Sequence, residues 1–191
     1  MIAKIIFVIF LFTNQAFAET ILPYYESKFK SGRELHYQDS EAEGYYKYVN
    51  PRFAYTFDVP KEFNYIVSIP GNSAGITIGA TKKNAILYTS GHYLGATSGR
   101  DSYNDSIKTL GKKVTYSSFQ TNSYVVIWLE PGDGLTHGDF IYYKKLLFDD
   151  KYFNQFTVGY PVAEKAYFEP IVTHMAKKFI PGWKTGFKIY G

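Results

Sequence analysis

The chain has 191 residues, no cysteine, a formal charge of +4 and an aromatic fraction of 19%, with 19 tyrosines and 16 phenylalanines. The missing thiols exclude disulfides, thiol catalysis, cysteine zinc sites and iron–sulfur clusters. The mild positive balance is spread over pairs such as Lys82-Lys83, Lys112-Lys113, Lys144-Lys145 and Lys177-Lys178, without the clustered basic face that nucleic acid requires.

The N-terminus reads as an export signal. Lys4 supplies positive charge, Ile5 to Phe12 is an apolar core too short to span a bilayer, and Ala16-Phe17-Ala18 is a small-residue cleavage site. Cleavage after Ala18 leaves 173 residues, enough for one domain with its own core. The absence of cysteine after the apolar core closes the lipoprotein route. The expected compartment is the bacterial periplasm, with no membrane span once the signal is removed. Residues 19–47 mix aromatics and charges without a period and read as an irregular lead-in. A single domain is expected over 48–182, followed by a tail at 183–191.

Tyr45 to Tyr48 is aromatic enough for a short strand. Asn50-Pro51-Arg52-Phe53-Ala54-Tyr55-Thr56-Phe57-Asp58-Val59-Pro60 follows. Its alternation predicts a strand with Phe53, Tyr55, Phe57 and Val59 on one face and Ala54, Thr56 and Asp58 on the other. Arg52 is expected to pair with an acidic neighbour. Phe63 to Ile69 predicts a short strand, and 75–80 with 84–90 a hairpin. From Ser98 the period changes. Tyr103, Ile107 and Leu110 share a helical face, Ser98 and Asp101 form a capping box, and Gly111 suits the stop, predicting a helix over about 99–110. Four strands follow at 113–120, 124–129, 137–148 and 152–160. The continuous apolar run Tyr124-Val125-Val126-Ile127-Trp128-Leu129 predicts burial on both faces and a central place, and 137–148 a second central strand. The last helix is expected over about 163–179, its stripe made by Phe168, Ile171, Val172, Met175 and Phe179, with Pro170 marking a restart near Phe168 and His174 exposed off the stripe. Together these elements predict an α+β fold: an α/β/α sandwich with a mostly antiparallel sheet of six or seven strands and helices on both faces.

The run Asn50 to Pro60, and the closing unit Phe156 to Pro161, Pro170-Ile171-Val172 and Phe179-Ile180-Pro181-Gly182, resemble small bacterial exported proteins of the PsbP and DcrB-like superfamily. The resemblance covers about residues 48–182. It implies an α/β/α sandwich and a non-enzymatic role as accessory subunit, adaptor or partner-binding protein. The shared motifs are structural, so they speak to fold before function.

Searching for chemistry yields weak signals. Gly71-Asn72-Ser73-Ala74-Gly75 matches the spacing of a nucleophile elbow, but that motif needs a helix after the serine, and Ile76-Thr77-Ile78 predicts a strand. The four histidines, His36, His92, His137 and His174, include no pair at helical zinc-binding spacing. His137 and Asp139 with Asp133 offer a weak divalent-cation loop that reads more simply as solvated turn, and His92 is a candidate to approach it. Neither a cofactor nor a resident metal is expected. The leading expectation is a non-catalytic periplasmic protein that binds another periplasmic or secreted protein, with Tyr24, Tyr25, Phe29, Asp133, His137 and Asp139 as candidate partner surface. The alternatives are an immunity protein against a periplasm-targeted toxin, such as a type VI secretion effector, a small hydrolase using Ser73 or a His/Asp metal site, and a small-ligand carrier.

Overall fold

The structure, a computed structural model, describes residues 36–50, 52–72, 74–132 and 138–186. Ten strands are formed: β1 (His36–Asp39), β2 (Tyr45–Val49), β3 (Thr56–Pro60), β4 (Tyr65–Ser68), β5 (Gly75–Ala80), β6 (Ala85–Tyr93), β7 (Val114–Gln120), β8 (Ser123–Glu130), β9 (Phe140–Phe148) and β10 (Tyr152–Pro161). The helices are α1 (Gly99–Leu110), α2 (Lys165–Lys178) and the single turn α3 (Gly182–Thr185). Strands β1–β3 make a small sheet; the other seven form one antiparallel sheet in the order β4-β5-β6-β10-β9-β8-β7. Helix α1 lies on one face of the large sheet, α2 and the small sheet on the other. This is the expected α+β sandwich with a seven-stranded antiparallel sheet.

The Asn50–Pro60 run divides in two. Strand β3 starts only at Thr56, and the residues before it form a turn. The Asn50 side-chain oxygen accepts from Arg52 N (3.1 Å) and Phe53 N (2.7 Å), its carbonyl accepts from Ala54 N, and Ala54 takes a positive φ of 55°. An Asn bonding its own backbone two and three residues on is a turn device that competes with strand pairing. The predicted two-sided alternation is therefore wrong in detail: all five residues of β3 are buried, because α2 and the large sheet close over it. Arg52 has no carboxylate in its observed contacts. Its guanidinium donates to the Asn72 carbonyl (3.0 Å) and lies over the Phe53 ring. Part of the lead-in is also ordered: His36–Asp39 pairs with β2, a pairing that periodicity over four residues cannot announce.

The two ends of the resemblance motif meet. A Cβ on Gly182 would lie 1.8 Å from the Phe53 carbonyl oxygen, so the turn after Asn50 and the Pro181-Gly182 stop demand each other. Gly182 N donates to the buried Asn154 side chain, and Ile180 exchanges backbone hydrogen bonds with Thr56. Beneath this junction Phe57 stacks on Phe156, Phe179 meets both edge-on, and Tyr55 accepts from Thr89 Oγ1 (2.7 Å) while donating to the Ala74 carbonyl. These residues belong to the larger core, between the large sheet, the small sheet and α2.

Helix α1 matches its predicted limits. Ser98 and Asp101 form the reciprocal box and Gly111 stands at the C-cap. Helix α2 begins at Lys165 after a 3-10 turn, Val162–Glu164, and runs unbroken through Pro170 with no restart at Phe168. Burial of Phe168, Val172 and Met175 outweighs the single backbone hydrogen bond that proline removes. Strand β8 is not central but next to the β7 edge, and β10 holds the middle. Tyr124 and Val126 are buried under α1, whereas Val125, Ile127 and Leu129 on the opposite face remain half-buried. Strand β9 is next to centre and is likewise mostly half-buried. Its two lysines leave on opposite faces: Lys144 Nζ approaches Ser106 of α1, while Lys145 Nζ donates to the Ala176 carbonyl in the last turn of α2. A cation at a helix C-terminus is favoured by the helix dipole.

Candidate functional site: the open half of the large sheet

Strand register places one transverse row of residues on the α1 side of the sheet: Tyr65, Gly79, Ile86, Gly159, Tyr142 and Trp128. Two residues along, Thr77, Tyr88, Thr157 and Lys144 form a second row. Helix α1 packs chiefly on β7 and β8 and reaches Lys144 and Phe148 of β9, so it covers one end of these rows. Over β4, β5, β6 and β10 no described helix lies on this face. Thr77, Ile86 and Thr157 are half-buried there, and Tyr88 is 37% exposed.

The rings on this face are held in place. A Cβ on Gly79 would strike the Tyr65 ring at 2.1 Å, and one on Gly159 the Tyr142 ring at 2.3 Å. Each tyrosine thus lies across a glycine of the neighbouring strand, which flattens the ring against the backbone. Trp128 stacks on Tyr142 with centroids 5.0 Å apart and planes 10° apart, and Phe140 follows at 6.1 Å. Burial, then the nearby Glu130 carboxylate, pushes the Tyr142 hydroxyl above its ordinary pKa. Glu130 is in turn held by Lys113 at 2.6 Å. The result is a rigid, weakly charged aromatic surface with one end under α1 and the other open.

Tyr24, Tyr25, Phe29, Asp133 and His137 lie outside the described residues, as does Ser73. Asp139 is in a turn: its carboxylate accepts from Gly132 N (2.9 Å) and its carbonyl from Val162 N, just before Phe140 joins the aromatic surface. Gly75 opens strand β5, so a strand follows Ser73 where an elbow needs a helix. His92 does not approach Asp139, the described residue at the end of the 131–139 loop. It pairs with Phe153 beside Phe148, whereas Phe140, at the end of that loop, sits at the other end of β9. His92 stacks on Phe153, and burial together with Arg52 lowers its pKa.

His174 is not exposed either. Its Nε2 lies 2.7 Å from Oδ2 of the buried Asp58, and its ring stacks on Tyr45 at 4.2 Å. Ser40 Oγ donates to the other carboxylate oxygen at 2.9 Å. The serine meets the carboxylate and not the imidazole, so this cluster lacks the nucleophile-to-base contact that covalent catalysis requires. It ties β3 to α2. Among the described residues no three His, Asp or Glu side chains converge to hold a metal, and no helix is long and apolar enough to cross a membrane.

A second concavity, of about 380 Å³, lies between the β7–β8 turn and the segment Phe179–Lys184. Its volume suits a small ligand, but Gln120, Thr121, Asn122 and Lys184 on its rim are exposed and offer no converging buried polar group.

Sequence reasoning passed over Tyr65, Tyr88, Trp128 and Tyr142. The available signal was the recurrence of aromatic residues in the runs that form β4, β6, β8 and β9. Without register it does not reveal which rings share a face.

No family model and no curated protein matches the chain. Among solved structures it is similar to the solution structure of cyanobacterial PsbP (CyanoP) from Synechocystis sp. PCC 6803, with a TM-score of 0.56 and 11% identity over 75% of this chain and 96% of that one. At that identity the likeness is one of fold, and the chain has a PsbP-like α+β sandwich.

Proposed function

We propose that this chain is an exported, non-catalytic accessory protein of the periplasm that binds another protein through the open half of its large sheet. The signal-like residues 1–18, with cleavage after Ala18, support the compartment. The motifs it shares with bacterial exported PsbP and DcrB-like proteins support the accessory role. The observation that carries the reading is the surface of Tyr65, Ile86, Tyr88 and Tyr142, held by two glycine contacts, backed by Trp128 at the edge of α1 and otherwise left without a covering helix among the described residues. Tyrosine and tryptophan dominate binding hot spots because each ring offers large area and a polar tip with few torsions to freeze. Neighbouring Thr77 and Thr157 supply hydroxyls for adaptable hydrogen bonds.

A photo-crosslinking residue at position 88 tests this in cells that export the chain. One discrete protein adduct is expected from position 88, and none from position 167, which is exposed on the α2 side. Failure to form an adduct at 88, or equal adducts at both positions, defeats the reading.

A further inference from the structure

The two edges of the large sheet are built differently. Edge strand β4 has four residues, a register shift between Ile66 and Ser68, and Pro70 two residues beyond its end. Shortness, irregularity and proline are the devices that keep an edge from pairing with another chain. Edge strand β7 has seven residues, and its one register shift lies at its start, between Val114 and Tyr116. From Tyr116 to Gln120 it pairs regularly with β8, and Val114 to Gln120 contains neither a proline nor a charged residue. The two-residue turn Thr121-Asn122 makes Gln120 and Ser123 a hydrogen-bonded pair, so Tyr116, Ser118 and Gln120 direct their backbone groups to β8. Ser117 and Phe119 direct theirs outward, where no described strand receives them.

We infer that β7 is the seam of a symmetric dimer, in which β7 of a second copy adds antiparallel to it and joins the two large sheets. The occupant follows from self-complementarity. With the two-fold axis at Ser117, Tyr116 stands beside Ser118 of the other copy, Thr115 beside Phe119 and Val114 beside Gln120. No like charges oppose each other over the strand. Beyond it, Lys113 falls opposite the neutral Thr121 and is already held by Glu130 at 2.6 Å. An isologous contact of this kind closes on itself, so the edge is satisfied without propagating into a filament. Tyr116, the most exposed of the large apolar side chains among the described residues at 54%, lies on the seam. The axis stands perpendicular to the sheet and sets both α1 helices on one face. The open halves, at the β4 ends, remain at the outer flanks, so this inference does not depend on the proposed protein-binding role.

The test is sedimentation of the mature chain, residues 19–191, over roughly 1–200 μM. Wild type is expected to be a dimer. Ser117→Pro, which removes an outward donor without touching the β8 ladder, and Tyr116→Lys, which brings cations together at the axis, are each expected to shift it to monomer with circular dichroism unchanged. Because the chain has no cysteine, a single introduced one can bridge only to another copy. Oxidised Ser117→Cys, which faces its own copy across the axis, is therefore expected to run as a covalent dimer, and Tyr167→Cys, on the opposite side of the fold, as a monomer. A wild type that stays monomeric at the highest concentration overturns the inference. So does a dimer that survives Tyr116→Lys, or one that crosslinks at 167 and not at 117.

Discussion

The two faces of the large sheet are built from similar residues to different ends. On the α2 side, aromatic rings from β3, β10 and the segment after α2 interlock: Phe57, Phe156 and Phe179 meet each other, and Tyr48, Tyr55, Phe63 and Phe168 are wholly buried. On the α1 side the buried apolar cluster of the described residues is smaller, Leu94, Tyr124, Val126, Leu146 and Phe148, and the aromatic surface runs out from under the helix. The difference lies in cover. A small sheet and a 14-residue helix close one face, while one 12-residue helix closes part of the other. Composition does not separate a core tyrosine from a surface one; the layer above it does.

Truncation deepest in the closed face should produce the largest effect. Phe156→Ala removes the ring shared by Phe57, Tyr143 and Phe179, with a loss of about 3–5 kcal/mol expected in urea unfolding. A loss below about 1 kcal/mol would erase the contrast between the faces.

Alkali should attack the same face. Burial raises the Tyr143 hydroxyl to about 12 and shifts Tyr48 and Tyr55 upward as well. The unfolded chain releases these protons near pH 10. The contribution of these groups is therefore fully present below pH 10 and is lost progressively as pH rises from 10 toward 12. Thermal melts should fall progressively over that window. Tyr143→Phe should flatten the fall, and an unchanged slope in that variant would assign the alkaline loss to other groups.

The cover of the half-open face should respond less. Ser98→Ala deletes the cap of α1 and is expected to cost about 1 kcal/mol. Hydrogen exchange should accelerate in α1 before it does in α2; uniform acceleration would mean that the two faces open together.

The smallest stability effect belongs to the open surface. Tyr88→Ala should change stability by no more than about 0.5 kcal/mol. It should still abolish adducts formed by a crosslinker placed at the neighbouring Thr157. Destabilisation comparable to that of Phe156→Ala would make Tyr88 a core residue and remove it from the proposed site.

Helix α1 was readable to the residue because its information is local. Ser98, Asp101 and Gly111 act on their own helix ends, and Tyr103, Ile107 and Leu110 repeat at its period. The hairpin β5–β6 and the final strands were readable for the same reason. Strand rank in the sheet was not. The run Tyr124 to Leu129 looks central, yet it lies one strand from the edge, since period and hydrophobicity do not say how far a covering layer extends. His174 was misplaced because its partner, Asp58, is distant in sequence and reaches it only when β3 lies under α2. Neither partner carries a local sign of the other.

Sequence alone determined the punctuation: where α1 starts and stops, most of the strand runs, and the two motifs, Asn50 to Pro60 and Phe179 to Gly182, on which the family resemblance rests. Tertiary structure alone decided that these two motifs touch, with the Phe53 carbonyl occupying the space a Gly182 side chain would need. It also decided which tyrosines are core and which form a surface. Capping, turns and alternation are set by neighbours a few residues away, whereas register and cover are set by residues up to a hundred or more positions apart, which the chain brings together only on folding.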